Sequence, residues 1–147
     1  MFRHVLCPTD GSILSDEAVE KAISFAREIG SRITFFFAQS DPDVSLYGES
    51  ELSRALDPDA YAARCDAQAE SILSRAVTAA VARGVPCEAI SRTASEPFEA
   101  IIAAAEENSC DVIVMASHGR RGIKGLLLGS QTQKVLVHSK FPVLVYR

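Results

Sequence analysis

Short apolar runs alternate with amphipathic stretches along this chain, and that alternation restricts it to one architecture. Phe2 to Pro8 (FRHVLCP) is a β-prone run ending in the polar turn Thr9-Asp10-Gly11-Ser12. Ala18, Ala22, Phe25, Ala26 and Ile29 then recur at helical spacing, with Asp16 and Glu17 in the first turn and Gly30 just past the end. Ser31 to Ala38 (SRITFFFA) is continuous and β-branched or aromatic, as a strand buried on both faces should be. Asp57-Pro58 reads as a cap with proline at the first helical position, opening a helix with Ala62, Cys65, Ala69, Ile72, Leu73, Ala76 and Ala80 on one face and an end near Arg83-Gly84. Val85 to Arg92 predicts a strand. Ser95 is placed to cap a helix with Phe98, Ile101, Ile102 and Ala105 inward and Pro97 in its first turn. Asp111 to Met115 is a further buried strand, Gln131 to about Ser139 a helix, and Phe141 to Tyr146 a last apolar strand. Strand–helix alternation of this kind predicts an α/β fold: a single doubly wound, mainly parallel sheet with helices on both faces.

At 147 residues and 48% hydrophobic, the chain has the size of one domain, 1–147, whose core needs neither disulfide nor metal. Cys7, Cys65, Cys87 and Cys110 are far apart, with no Cys-x-x-Cys pair and no histidine at ligand spacing, so they read as small core hydrophobes. No run approaches the length of a membrane span and the N-terminus lacks a signal-type apolar stretch, so no membrane partner is expected and the location is read as cytoplasmic. A net charge of −4, no Trp and three Tyr argue against nucleic acid, which demands an extended basic surface. Between Gln39 and Asp57 the chain turns polar and acidic without a sustained period, which predicts a long mobile connection that acts as a lid, a partner-binding segment or a solvated linker.

Function points to one stretch, Met115 to Lys134 (MASHGRRGIKGLLLGSQTQK). It leaves a strand, crosses Gly119, Gly122, Gly125 and Gly129, and starts a helix, with Arg120, Arg121 and Lys124 in the loop. Ser130 and Gln133 have the spacing of a capping box. Unpaired amides and the helix dipole converge at such a junction, so it suits a small polyanion such as a di- or triphosphate. Glycines serving only as turn residues and cations that are merely solvated are the plain alternative. In a doubly wound sheet, ligands sit beyond the carboxyl ends of the strands where the order reverses. Asp10, at the first strand's exit, would share that crevice if the first and fourth strands are neighbours, facing a polar ligand group or a bound divalent cation. A turn or helix-capping aspartate is its simpler role.

These motifs resemble the universal stress protein family, and the likeness runs essentially end to end. Nucleotide-binding members carry Gly-x2-Gly-x9-Gly-[Ser/Thr] after the fourth strand. Here Gly119, the intervening residues Arg120 to Leu128, and Gly129-Ser130 match its later part, while Ala116 stands where the first glycine belongs. Pro8-Thr9-Asp10-Gly11-Ser12 and Phe141-Pro142-Val143-Leu144-Val145 resemble the family as well. The resemblance implies a Rossmann-like five-stranded sheet in the order 3-2-1-4-5 and an ATP site, with or without Mg2+. Pro8, Thr9, Asp10 and Ala38 would border adenine and ribose. Met115, Ala116, Ser117, His118, Gly119, Arg120 and Arg121 would run under the ribose and phosphates, and Gly129, Ser130, Gln131 and Thr132 would hold the phosphates. It also implies a homodimer through Phe141–Tyr146, which would cover the exposed edge of a terminal strand. The Ala116 methyl is costly if that residue needs positive φ or touches the ligand, and harmless otherwise.

No catalytic residue and no metal ligand set is assigned. His118 is read as phosphate-contacting or exposed rather than as a base, and no Ser/His/Asp or Cys/His constellation is apparent. The expected function is that of an ATP-binding stress-response switch or binding module, the ligand setting the conformation of the segment from Gln39 to Asp57. The alternatives are a dimeric interaction protein of the same fold that binds no nucleotide and a slow ATPase.

Overall fold

The structure, a computed structural model, describes residues 1–40, 49–119 and 128–147. Its strands are β1 (His4–Pro8), β2 (Arg32–Ser40), β3 (Cys87–Ala94), β4 (Val112–Ala116) and β5 (Val143–Tyr146). Its helices are α1 (Ile13–Ile29), α2 (Glu49–Leu56), α3 (Pro58–Ala82), α4 (Pro97–Glu107) and α5 (Ser130–His138). They form a five-stranded sheet in the order β3-β2-β1-β4-β5. Every pairing is parallel. The expected order is therefore observed, and the reversal of strand order falls between β1 and β4, the position at which such sheets hold ligands.

Alternate side chains of each strand feed opposite cores. Val5, Cys7, Ile33, Phe35, Val112 and Val114 pack under α1 and α3 with Ala22, Ile23, Ile72 and Ala76. Leu6, Phe36, Ile113 and Met115 face α4 and α5 with Ile101, Ala104 and Val135. Central strands buried on both faces must be apolar throughout, which is why FRHVLCP and DVIVM carry no alternation. Helices α1 and α3 begin on real caps. Ser12 accepts from the Ser15 amide and Asp57 from the Ala60 amide, with Pro58 in the first turn of α3. Gly30 ends α1 at φ 68°, a left-handed conformation that glycine adopts without strain.

Several expectations need correction. Residues 49–56 of the segment read as a mobile connection form the helix α2, and Gln39 belongs to β2. Leu52 and Leu56 supply α2's only large apolar side chains and both are exposed, so no buried stripe marked the helix in the sequence. Residues 41–48 of that segment lie outside the described ones. Ala62, in the first turns of α3, and Ile29, the last residue of α1, were assigned inward and are exposed. Ser95 does not cap α4; the cap position is Glu96, without a side-chain cap bond. The capping box of α5 is absent too. Gly129 is the cap residue, no side chain caps it, and Gln133 donates instead to the Leu128 carbonyl at 3.1 Å. Of the cysteines, all free, Cys7 and Cys110 are buried whereas Cys65 and Cys87 are half-buried.

Candidate functional site

Beyond the ends of β1 and β4 the two sequence-marked loops meet. The Thr9 amide continues the ladder by donating to the Phe36 carbonyl at 2.9 Å, which holds the first residue after β1 in the plane of the sheet. Three short bonds then fix the turn: Ser15 Oγ donates to Thr9 Oγ1 at 2.9 Å, the Asp10 amide to Ser15 Oγ at 3.1 Å, and the Ser12 amide to Asp10 Oδ1 at 3.0 Å. Gly11, at φ 73°, lets the chain swing from strand to helix there. Asp10 is thereby an aspartate of the turn, as its simpler role required. Its Oδ2 also reaches across to β4's loop, since a methyl group on Gly119 would overlap that oxygen. A larger residue at 119 would have to turn the Asp10 carboxylate aside.

On the β4 side, the Ser117 amide donates to the Tyr146 carbonyl at 2.7 Å, extending the β4–β5 ladder past Ala116. Ala116 itself is a strand residue, and among the described non-glycine residues only Ser109 has positive φ, 52°. The methyl at 116 therefore carries no backbone strain. The start of α5 is anchored to the same place. The Gly129 amide donates to the Ser117 carbonyl at 2.7 Å, and buried Thr132 Oγ1 donates to the Ala116 carbonyl at 3.0 Å. A side chain at 129 would lie 3.2 Å from the Ser117 carbonyl oxygen and 3.3 Å from the His118 Cα, so that backbone would have to give slightly to admit it.

The arrangement brings Thr9, Asp10, Ser117, His118, Gly119, Gly129, Ser130 and Thr132 to one crevice. Pro8 and Met115 are buried in its floor as strand residues. Ala38 lies two residues beyond Phe36 on β2 and on the same face, overhanging the end of β1. Gln131 differs: its side chain turns to α4, where Oε1 accepts from the Phe98 amide at 2.9 Å. His118 pairs through Nδ1 with Ser117 Oγ at 3.0 Å, and its Nε2 is buried without a hydrogen-bond partner among the described residues. Arg120, Arg121, Gly122, Lys124 and Gly125 lie outside the described residues. Ser15 was overlooked in the sequence, although its spacing three residues after Ser12 is an available signal for a residue that braces the β1 turn.

The chemistry offered is binding rather than bond-making. With no side-chain cap on α5, the amides of Ser130, Gln131 and Thr132 find no acceptor among the described residues, and they stand at the positive end of the helix dipole. No group of three or more His, Cys, Asp or Glu among the described residues is placed to hold a metal ion. Nor is there, among those residues, a helix long and apolar enough to cross a membrane. Burial pushes the thiols of Cys7 up to about 12 and Cys110 up to about 11, so both are inert core groups.

Comparison with known proteins agrees with this architecture. A protein of Thermus aquaticus, the universal stress protein in the QAH/OAS sulfhydrylase 3′ region, is 33% identical over 147 residues, covering 100% of both chains. A Methanocaldococcus jannaschii universal stress protein has a structure that superposes with a TM-score of 0.81 over 99% of this chain and 95% of its own, at 23% identity, a likeness of fold alone. A universal stress protein crystallised in complex with cAMP superposes with a TM-score of 0.72 at 26% identity, covering 99% and 97% of the two chains. The model of the universal stress protein family matches residues 1–147, and the chain belongs to that family.

Proposed function

We propose that this protein binds an adenine nucleotide, ATP with or without Mg2+, in the β1/β4 crevice and acts as a nucleotide-dependent switch or binding module in a stress response. The observation that carries the reading is the contact of Asp10 with Gly119 beside the uncapped start of α5. It puts a carboxylate suited to ribose hydroxyls or a cation next to amides suited to phosphates. The related protein crystallised with cAMP supports the same ligand class. In this reading Pro8, Thr9, Asp10 and Ala38 border adenine and ribose, Met115 to Arg121 run beneath the ligand, and Gly129, Ser130, Gln131 and Thr132 hold the phosphates with backbone amides and hydroxyls. The free cysteines suit a reducing, cytoplasmic setting. Residues 1–147 act as one domain, and two copies pair through the outer edge of β5, where Leu144 is 44% exposed.

Titration calorimetry with ATP and Mg2+ tests this directly. Binding that Asp10→Ala weakens is the expected result, and no heat at millimolar ATP rejects it. A second reading, an interaction protein of the same fold that takes no nucleotide, rests on Ala116, whose side chain is buried at the end of β4. Under it, Ala116→Gly would raise ATP affinity steeply; under the first reading the change is small. A slow ATPase is separated from both by phosphate release above background.

A further inference from the structure

Helix α4 begins with a gap that its own residues do not fill. Pro97 has no N–H, and the Glu99 and Ala100 amides donate to the Glu96 carbonyl at 3.2 and 3.3 Å. The Phe98 amide is the donor left over, and α4 has no side-chain cap of its own. Gln131 of α5 supplies the acceptor at 2.9 Å. Lys134, one turn on, reaches Glu96 Oε2 at 2.8 Å and lies 5.1 Å from the centre of the Phe98 ring. His138, a further turn on, packs its ring 5.3 Å from the same phenyl. One face of α5, residues 131, 134 and 138, thus grips the start of α4, while Gly129 and Thr132 hold α5 to the exit of β4.

We propose that Gln131 is a positioning residue of the nucleotide site: its side chain caps α4, not the ligand, and so sets the direction in which the first-turn amides of α5 point. This rests on the nucleotide reading above. The two outer anchors, Lys134 and His138, act further along the helix, so Gln131 is the side chain that ties the first turn of α5 to α4, while Gly129 and Thr132 tie it to β4. With Gln131→Ala that turn keeps its bonds to β4 but loses its tie to α4, and the loss of one oriented hydrogen bond weakens ATP binding about tenfold. Gln131→Glu keeps an acceptor for the Phe98 amide, so it retains ATP affinity within about threefold at physiological salt.

The test compares ATP affinity in wild type, Gln131→Ala and Gln131→Glu by calorimetry, with hydrogen exchange at the Phe98 amide followed by NMR in the ligand-free proteins. Expected are weakened binding and faster Phe98 exchange in Gln131→Ala, and restoration of both in Gln131→Glu. Affinity lower in Gln131→Glu than in Gln131→Ala would mean that the side chain faces the phosphates, and overturns the proposal. So would Phe98 exchange unaltered by Gln131→Ala. Wild-type protein that binds no ATP would remove the nucleotide reading itself, a different outcome from wild type and Gln131→Ala binding equally, which removes only the role of Gln131.

Discussion

At the amino end of the sheet, Asp111 accepts from the Arg3 amide at 2.8 Å and the His4 amide at 3.1 Å, and its own amide returns a bond to the His4 carbonyl at 2.9 Å. Behind it, His4 Nε2 and Thr34 Oγ1 pair at 2.7 Å, both side chains buried. At the carboxyl end, by contrast, the start of α5 has no side-chain cap, and the amides of its first turn find no acceptor among the described residues. One end uses a carboxylate to close the β1–β4 seam; the other leaves the seam lined with donors. Buried His4 Nδ1 and Ser31 Oγ also lack partners among the described residues at the amino end, so it is the backbone donors at the start of α5, aligned with the helix dipole, that single out the carboxyl end as the place to look for a ligand.

The largest expected effect breaks the closed end. Asp111→Ala removes two charge-assisted acceptors at the β1–β4 junction and should lower unfolding stability by about 3 kcal/mol. ATP affinity should stay unchanged, because the crevice lies at the other end of the strands. Denaturant unfolding and calorimetry on the same variant check both halves, and a matching fall in affinity would contradict the separation of the two ends.

Gly119→Ala is the counterpart at the open end. Its methyl must displace the Asp10 carboxylate, a side chain that can rotate, so stability should fall by no more than about 0.5 kcal/mol. Nucleotide affinity should fall about tenfold, or about 1.4 kcal/mol. Unaltered affinity would show that Asp10 and Gly119 need not meet for binding.

The contrast also explains what could be read before the structure was known. Long-range apolar patterning carries the sheet: SRITFFFA and DVIVM have no reading other than doubly buried strands, and their alternation with helices implies the winding. Gly119 and Gly129 were legible as glycines of a strand-to-helix loop, whereas the close approaches they make, to the Asp10 carboxylate and to the Ser117 carbonyl, were not. Capping was not. Ser130 and Gln133 have the spacing of a box and do not form one, since the Gly129 amide is tied to Ser117 and Gln133 reaches Leu128 instead. The partner of Gln131 is 33 residues away on another helix, so local spacing holds no trace of it. Helix α2 was illegible for a different reason: two exposed leucines do not make a period.

Thr132→Val sharpens the comparison within the open end. The substitution is nearly isosteric, but it deprives the Ala116 carbonyl of a buried donor that lies 3.0 Å away. A loss of about 1 kcal/mol in stability is expected, with a loss of about threefold in ATP affinity as the start of α5 loosens. Thermal unfolding and calorimetry would show the two changes together. A stability loss with affinity intact would mean that Gly129 and Gln131 hold the start of α5 without Thr132.

The smallest effect belongs to pH and to His4. Burial, reinforced by the Arg32 charge, holds its pKa below the usual 6.5, while the Asn108 backbone and then the charges of Glu88 and Asp111 act the other way. The folded protein therefore keeps the ring neutral where the unfolded chain would protonate it. Stability from this group is complete above 6.5 and declines as the pH falls from there through the lowered folded value. His4→Gln removes the titrating group at the cost of the bond to Thr34, so the variant should be less stable at pH 8 yet lose less on acidification. Carboxylates elsewhere contribute an acid slope of the same sign in both proteins, which makes the difference between the two pH profiles the quantity to measure. Parallel profiles from pH 8 to pH 5 would show that the closed end is indifferent to the charge on His4. A shallower profile in the variant would show that the end without a ligand site is the one that senses acid.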